Sequence, residues 1–481
     1  MMKESTGTEA GIDRRAVLGL GAAAGATGLL CTLASGDAAQ AASRHRPGGQ
    51  GKLPAIVIIG AGAAGAVAAY RLRQLMGPSA SITILEDSPR VGGRARHVNF
   101  AGSKVEVGAS ILHSAGRRLL DLADTLGVAL KPVGGGPGGL GIWTGDGFSF
   151  LAEPGAVDAT LLAQYGPQSV LGMVSVAQDV TAAWSEIYAL QDNLTLFENP
   201  GTLLRAIGLE QLTSISLADH LAAAGVERPI IDGFVTGALR NIYNQTPAIN
   251  GLAGSIALVG VGLAGGELQA VRDGNSELYA KLIAAAEARL LLDTQVTRVH
   301  KVAHRTMVST SSGVEFPADA VVVAAAPELA GIRFDPPVQL DHRPFQEVHV
   351  TLVAGQLSPT YFATATVPGT ILTEDRPGLT FKSLGYVAES PQFQAPIWKF
   401  FSPARLRRPD IAPIFSSIHK TWRTSWEAYP VLVPQTSLPP FERAPGIFTI
   451  SSMESAVSTM EHEAVAAWNV AGLVHKRLTE S

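Results

Sequence analysis

The chain has 481 residues, 46% of them hydrophobic, with a formal net charge of −4 and a single cysteine, Cys31. That length exceeds one ordinary core, so at least two domains are expected. The mild acidity gives no electrostatic reason to expect a nucleic acid partner, and one cysteine excludes an internal disulfide.

Taken in order, Asp13-Arg14-Arg15-Ala16-Val17-Leu18 has the form of a twin-arginine export signal, and a Gly/Ala/Leu stretch runs on to Ser35. Ala39-Gln40-Ala41 offers a small-x-small cleavage site. The expectation is a signal peptide over residues 1–41, passage through the twin-arginine export machinery, and a periplasmic or extracellular location. A retained anchor is the alternative, but the stretch is weakly apolar and no stable membrane span is expected. Cys31 lies inside this segment, so the processed chain would have no cysteine for a flavin link, a nucleophile or a metal. Residues 42–52 read as a linker.

Ala55-Ile-Val-Ile-Ile59 is a short apolar run that meets Gly60-Ala-Gly62-Ala63-Ala-Gly65, and an Ala-rich helix pattern follows to Leu75. In such a strand–turn–helix, Gly60 makes the turn and Gly62 lets backbone approach a pyrophosphate. Gly65 lets the helix pack against the strand, and Ala63 opens the helix. Helix N–H groups then face the phosphates. A second strand, Ser81–Leu85, delivers Glu86 about twenty residues on, where a carboxylate takes the ribose hydroxyls. Gly92-Gly93-Arg94 adds a second close backbone approach, with Arg94 placed to pair with phosphates or cap the ribose. This resembles FAD enzymes of the amine-oxidase type, so the expected cofactor is FAD.

Val105 to His113 reads as a strand running into a glycine turn, and Arg117 to Leu126 as a helix. Gly134 to Gly141 reads as a loop, and the pattern from Ala156 to Ile249 is helical. Gly251 to Gly265 is apolar core. A helix over Leu278–Ala288, a strand at Thr294–His300, its hairpin partner at Met307–Thr310 and a buried strand at Ala318–Pro327 return to the nucleotide-domain pattern. Gly446 to Glu454 reads as a strand, followed by a long helix ending near Lys476. The fold class expected is α/β: a discontinuous Rossmann-like FAD-binding domain of the amine-oxidase type with a mixed α+β substrate domain. The FAD-binding parts are residues 53–133, 251–330 and 441–481; the substrate parts are residues 134–250 and 331–440.

Several stretches make nearly all of the processed chain resemble the prenylcysteine oxidase family. They are Ala109-Ser110-Ile-Leu-His113, Arg240-Asn-Ile-Tyr243-Asn-Gln245, Phe334-Asp-Pro-Pro337, Pro396-Ile-Trp398-Lys399-Phe-Phe401-Ser402, Trp426-Glu-Ala-Tyr429-Pro430 and Met453-Glu454-Ser-Ala456. The chain departs from the family's Gly-Gly-Asn at Asp273-Gly274-Asn275 and from its Asn-Gly at Ser451-Ser452. The resemblance implies hydride transfer from the prenyl carbon beside sulfur to the flavin. Water addition, collapse to an aldehyde and free cysteine, and reoxidation by dioxygen with release of hydrogen peroxide complete the cycle. It implies a small apolar thioether substrate and no metal. An amine oxidase or isoprenoid desaturase on the same scaffold, and a flavoprotein that only binds isoprenoids, are the alternatives.

Among individual residues, Lys399 sits between aromatics and is a candidate to hold a water at the flavin; a lysine snorkelling to solvent is the plainer alternative. His113 is the other catalytic candidate, against a hydrogen-bonded structural histidine. Cofactor candidates beyond the glycine motifs are Gly108, Ala109, Ser110, Val296 through its backbone, and Glu454 as acceptor for a ribityl hydroxyl. Substrate candidates are Tyr243, Trp398, Trp426 and Tyr429, against plain core. Glu461 is expected on the helix surface or in a buried pair.

Overall fold

The computed structural model describes residues 53–133, 138–303, 305–340 and 342–480. The signal peptide and linker expected over residues 1–52 lie outside the described residues.

Two large sheets organise the chain. The first has six strands in the order Arg289–Leu291, Ser81–Leu85, Ala55–Ile59, Ala320–Val323, Ile447–Thr449, Glu442–Ala444. All neighbours are parallel except the last pair. Parallel strands buried on both faces need continuous apolar runs, which Ile-Val-Ile-Ile59 and Val-Val-Val323 provide. The helices Ala63–Met76 and Met460–Glu480 pack against each other beside this sheet. A four-stranded sheet built on the hairpin Val296–Val302 and Arg305–Thr310 lies against its other side.

The second large sheet has seven strands. It runs from the long strand Phe415–Pro430 through Phe345–Leu357, Ala395–Ser402, Ser383–Ser390 and Thr370–Thr373 to Leu140–Trp143 and Phe148–Ala152. Leu140–Trp143, read in part as loop, is therefore a strand, paired parallel with Thr370–Thr373. Helices from Val157–Asp192 to Gly251–Gly260 complete this half. The strand expected to reach Glu454 stops at Thr449. Ile450–Ser455 instead forms a tight turn of helix, because Ser452 Oγ bonds Thr449 Oγ1 and the Pro440 carbonyl rather than a neighbouring strand. No described helix is long and apolar enough to cross a membrane.

Candidate functional site: a glycine-lined crevice opening into an apolar cavity

The crevice begins where Ala55–Ile59 ends. Gly60 N–H donates to the Leu85 carbonyl, 2.8 Å, tying the turn to the neighbouring strand. A Cβ on Gly65 would stand 2.0 Å from the Gly60 carbonyl oxygen, so only glycine lets the helix lie this close. The helix has no side-chain cap at Gly62, which leaves its first N–H groups for another partner. The second glycine pair is bound to the first: Gly92 N–H donates to the Ala61 carbonyl, 3.0 Å. Glu86 Oε2 accepts from Ala61 N–H, 2.7 Å, and Oε1 accepts from the Ser88 amide and hydroxyl.

Gly60, Gly62, Glu86, Gly92 and Gly93, with Ala63, Gly108, Ala109 and Val296, line a cavity of about 370 Å³. Gly65 lies beneath it. A second cavity, about 610 Å³, continues from the first, and the two share Gly108, Ala109, Phe401, Tyr429, Ser458, Thr459 and Met460. Asn275 braces this junction; its Nδ2 donates to the Ala109 carbonyl, its Oδ1 accepts from Val271 N–H, and its own N–H donates to Glu106 Oε1.

Lys399 lines the second cavity, half-buried, with Nζ 5.1 Å from the centre of the Phe401 ring and 3.4 Å from the Glu106 carbonyl oxygen. Burial pulls its ammonium down to about 8, against the raising influence of Glu106. Burial in turn pushes the Glu106 carboxyl above its ordinary range, opposed by the Asn275 hydrogen bond and by Lys399 among other cations. Tyr243 and Tyr429 line this cavity together, edge to face at 5.2 Å.

Five assignments made from the sequence need correction. Trp398 lines neither cavity: strand alternation turns it to the far face of the sheet, where Nε1 donates to the Gly355 carbonyl, 3.0 Å, amid an apolar cluster. Trp426, expected at the substrate, lines the crevice rather than the second cavity, and Ser110, expected at the cofactor, lines the second cavity rather than the crevice. Glu454 is 1% exposed and lines neither; both its oxygens are taken by the Arg94 guanidinium, so it holds that arginine rather than touching the crevice itself. His113 does reach the second cavity, but its Nε2 hydrogen-bonds the Gly265 carbonyl and its Nδ1 accepts from Ala115 N–H. Burial also lowers its affinity for a proton. With both nitrogens engaged it is a structural histidine, not a catalytic one.

Two contributors escaped sequence reasoning, Glu463 and His462, while Glu461, expected on the helix surface or in a buried pair, is buried. Glu463 is buried in the crevice wall, and its Oε1 has no hydrogen-bond partner. Burial first, and the nearby Glu454 charge second, raise its carboxyl well above the usual range. Its neutral form is therefore favoured more than in an exposed carboxyl. Glu461, two residues earlier, turns instead toward the start of the helix Arg117–Thr125, accepting from Arg118 and Leu119 N–H and from the Tyr188 hydroxyl. His462 between them lines the second cavity. Three polar residues in one helical turn point three ways, and only the helix phase could have separated them.

The sequence model of the family described as prenylcysteine lyase matches residues 156–481, and a NAD(P)-binding Rossmann-like domain model matches residues 58–126. The chain belongs to the prenylcysteine lyase family. Among curated relatives, the protein named prenylcysteine oxidase 1 from Bos taurus is 29% identical over 458 residues, covering 88% of each chain. The protein named farnesylcysteine lyase from Arabidopsis thaliana is 28% identical, again over 88% of each. Among solved structures, cyclohexylamine oxidase from Brevibacterium oxydans IH-35A superimposes with a TM-score of 0.64 at 16% identity, covering 89% of this chain and 99% of that one. A fatty acid isomerase from P. acnes gives 0.60 at 14% identity, over 86% and 97%. This prenylcysteine lyase family member thus has the amine-oxidase-like fold expected from its glycine motifs. Among the described residues no cluster of potential metal ligands occurs.

Proposed function

We propose that this chain is an FAD-dependent oxidase that cleaves the thioether of prenylcysteine-like substrates to an aldehyde, cysteine and hydrogen peroxide. The observation that carries this reading is the shared wall. A dinucleotide crevice opens directly into a larger, mainly apolar cavity, in a chain whose family is named for thioether cleavage.

The residues fit FAD. Bare backbone at Gly60, Gly62, Gly92 and Gly93 and the uncapped helix start suit a pyrophosphate, and Glu86 suits ribose hydroxyls. Glu463 lines the same crevice, its carboxyl raised by burial. Arg94, fixed by Glu454 and the Ala428 carbonyl, lines the same wall. When bound, the flavin supplies a hydride acceptor for the carbon beside sulfur, and dioxygen restores it.

The chain's own residues do the rest. Phe401 and Tyr429 at the junction exclude bulk water from the reacting carbon, and the apolar cavity holds the hydrocarbon. Lys399 Nζ keeps its proton below about pH 8 and can orient the water that adds to that carbon before the carbon–sulfur bond breaks. The division into cofactor parts (53–133, 251–330, 441–481) and substrate parts (134–250, 331–440) is supported in outline by the two large sheets, with Arg289–Leu291 in the first and Leu140–Trp143 in the second, but the helix Gly251–Gly260 packs with the substrate half and Arg333–Asp335 with the cofactor half. The Arg14-Arg15 segment supports export by the twin-arginine route.

Purified protein is mixed anaerobically with farnesylcysteine and, separately, with simple amines. Bleaching of the flavin by the thioether, with stoichiometric aldehyde and cysteine, is the expected result. Bleaching by amines alone would replace this reading with an amine oxidase.

A further inference from the structure

Three strands of the seven-stranded sheet supply one row of the larger cavity's wall. Lys399 on Ala395–Ser402 stands directly opposite Gly385 on Ser383–Ser390, and Gly385 stands opposite Thr370 on Thr370–Thr373. Directly opposed residues of antiparallel strands share a face, so these three positions run in line across the sheet. All three line the cavity, and each keeps part of its surface accessible. The residues one step along, Phe400, Leu384 and Ile371, make the matching row on the opposite face, in the apolar cluster with Trp398. The helix Thr236–Ile242 covers the cavity face, with Gly237 against Leu372, and Ile242 and Tyr243 at its end line the same cavity.

Gly385 is a gap in this row. A Cβ built on it would meet no atom within 4 Å, and its backbone is not among the left-handed glycines, so neither packing nor conformation demands glycine. A glycine inside a strand weakens the strand, and one that the fold does not need marks a place where a ligand comes close. The solvent-exposed cations of this cavity, Lys104, Lys131 and Arg272, belong to other strands and loops and suit an anionic head group rather than a hydrocarbon.

We propose that Gly385 is a specificity-determining residue, the point at which the hydrocarbon tail of the substrate crosses the sheet. The carbon beside sulfur lies at Lys399, the tail passes over Gly385 toward Thr370, and the head group turns to the cations. The placing of sulfur rests on the thioether-oxidase reading; the passage of a tail over Gly385 does not. Neighbouring strands are about 4.8 Å apart, and an extended isoprenoid unit of four bonds is about 5 Å long. The row therefore measures the tail, with one unit reaching Gly385 and two reaching Thr370.

The test is a length series on flavin-loaded protein: cysteine thioethers carrying one, two or three isoprenoid units, and the same molecules with methylene in place of sulfur. The methylene analogues report binding through the flavin absorbance, and the thioethers report turnover through aldehyde. Gly385→Leu should lower the affinity for three units relative to one by about tenfold or more, since the excluded carbons lose their burial. Thr370→Phe should lower three units relative to two while leaving the ratio of two to one where it was. If Gly385→Leu fails to fold, Gly385→Ala, whose methyl has open space, should shift the same ratio in the same direction by a smaller factor. Unchanged ratios in the Gly385 variants, including an equal loss at every length, would overturn the proposal. Length discrimination at Gly385 without thioether turnover would uphold the tail path and sink the oxidase reading; turnover with ratios indifferent to Gly385 would do the reverse.

Discussion

Arg94 and Glu454 stand 360 residues apart in sequence and meet end to end, with Nη1 3.1 Å from Oε2 and Nη2 on Oε1. The glutamate is buried and the arginine about one-third exposed. This pair ties the loop after the second strand to the turn before the C-terminal helix, so it fixes both rims of the crevice.

Glu454→Ala should leave a partly buried guanidinium without its partner. The expected loss is roughly 2–3 kcal/mol of stability, below the range for a wholly buried pair because Arg94 retains some solvent. Flavin should be lost on gel filtration as well, since the arginine is free to leave the wall. Calorimetry and the ratio of bound flavin to protein measure both; a variant that keeps its melting point and its yellow colour would show the pair to be dispensable.

Lys399 predicts a pH dependence. Its ammonium is lowered to about 8, so its charge is present below that pH and lost as pH rises through it. Water addition or flavin reoxidation that depends on this charge should slow as pH passes from about 7 to 9. Lys399→Met should be slow at the lower pH and nearly flat across the window, with flavin content unchanged. Stopped-flow kinetics at several pH values decide the matter, and a Met variant with the original profile removes Lys399 from the mechanism.

Trp398→Ala opens space in an apolar cluster and removes the donor to the Gly355 carbonyl. A loss of roughly 3–5 kcal/mol is expected, in line with large aromatic-to-alanine changes in cores. The KM of the fraction that remains folded should hardly move, because the indole faces away from both cavities. A large KM increase with little change in melting temperature would reinstate Trp398 as a substrate contact.

Export is tested on the intact chain. Changing Arg14 and Arg15 together to Lys should retain the flavin-loaded protein in the cytoplasm of the expressing cell, whereas the unchanged chain is processed and found outside it. Fractionation and N-terminal sequencing give the answer, and equal export of both forms would count against the twin-arginine route.

The crevice was legible in the sequence because its determinants are local. Strand, glycine turn, helix and Glu86 fall within one short stretch, and each glycine answers to a backbone contact. The substrate half was less so. Alternation along Ala395–Ser402 could have separated Lys399 from Trp398, since neighbours on a strand face opposite ways, but aromatic character drew both to the site. Trp426 and Tyr429 could not be apportioned between the cavities, because their strand spans both and only the neighbouring sheet decides. Glu463 and Glu461 look alike in sequence and both are desolvated; the partners that distinguish them, hydrogen-bond donors around Glu461 and the Glu454 charge beside Glu463, come from packing.

The six-stranded sheet has an implication for biosynthesis. Ile447–Thr449 closes against Ala320–Val323, and the helix Met460–Glu480 lies on Ala63–Met76, so the first nucleotide-binding segment waits for the last translated one. A ribosome must therefore release nearly the whole polypeptide before a flavin can be captured durably, and pairing between such remote partners folds slowly. Premature stop codons upstream of residue 440 should yield apoprotein fit only for degradation. Maturation is consequently expected to be all-or-none.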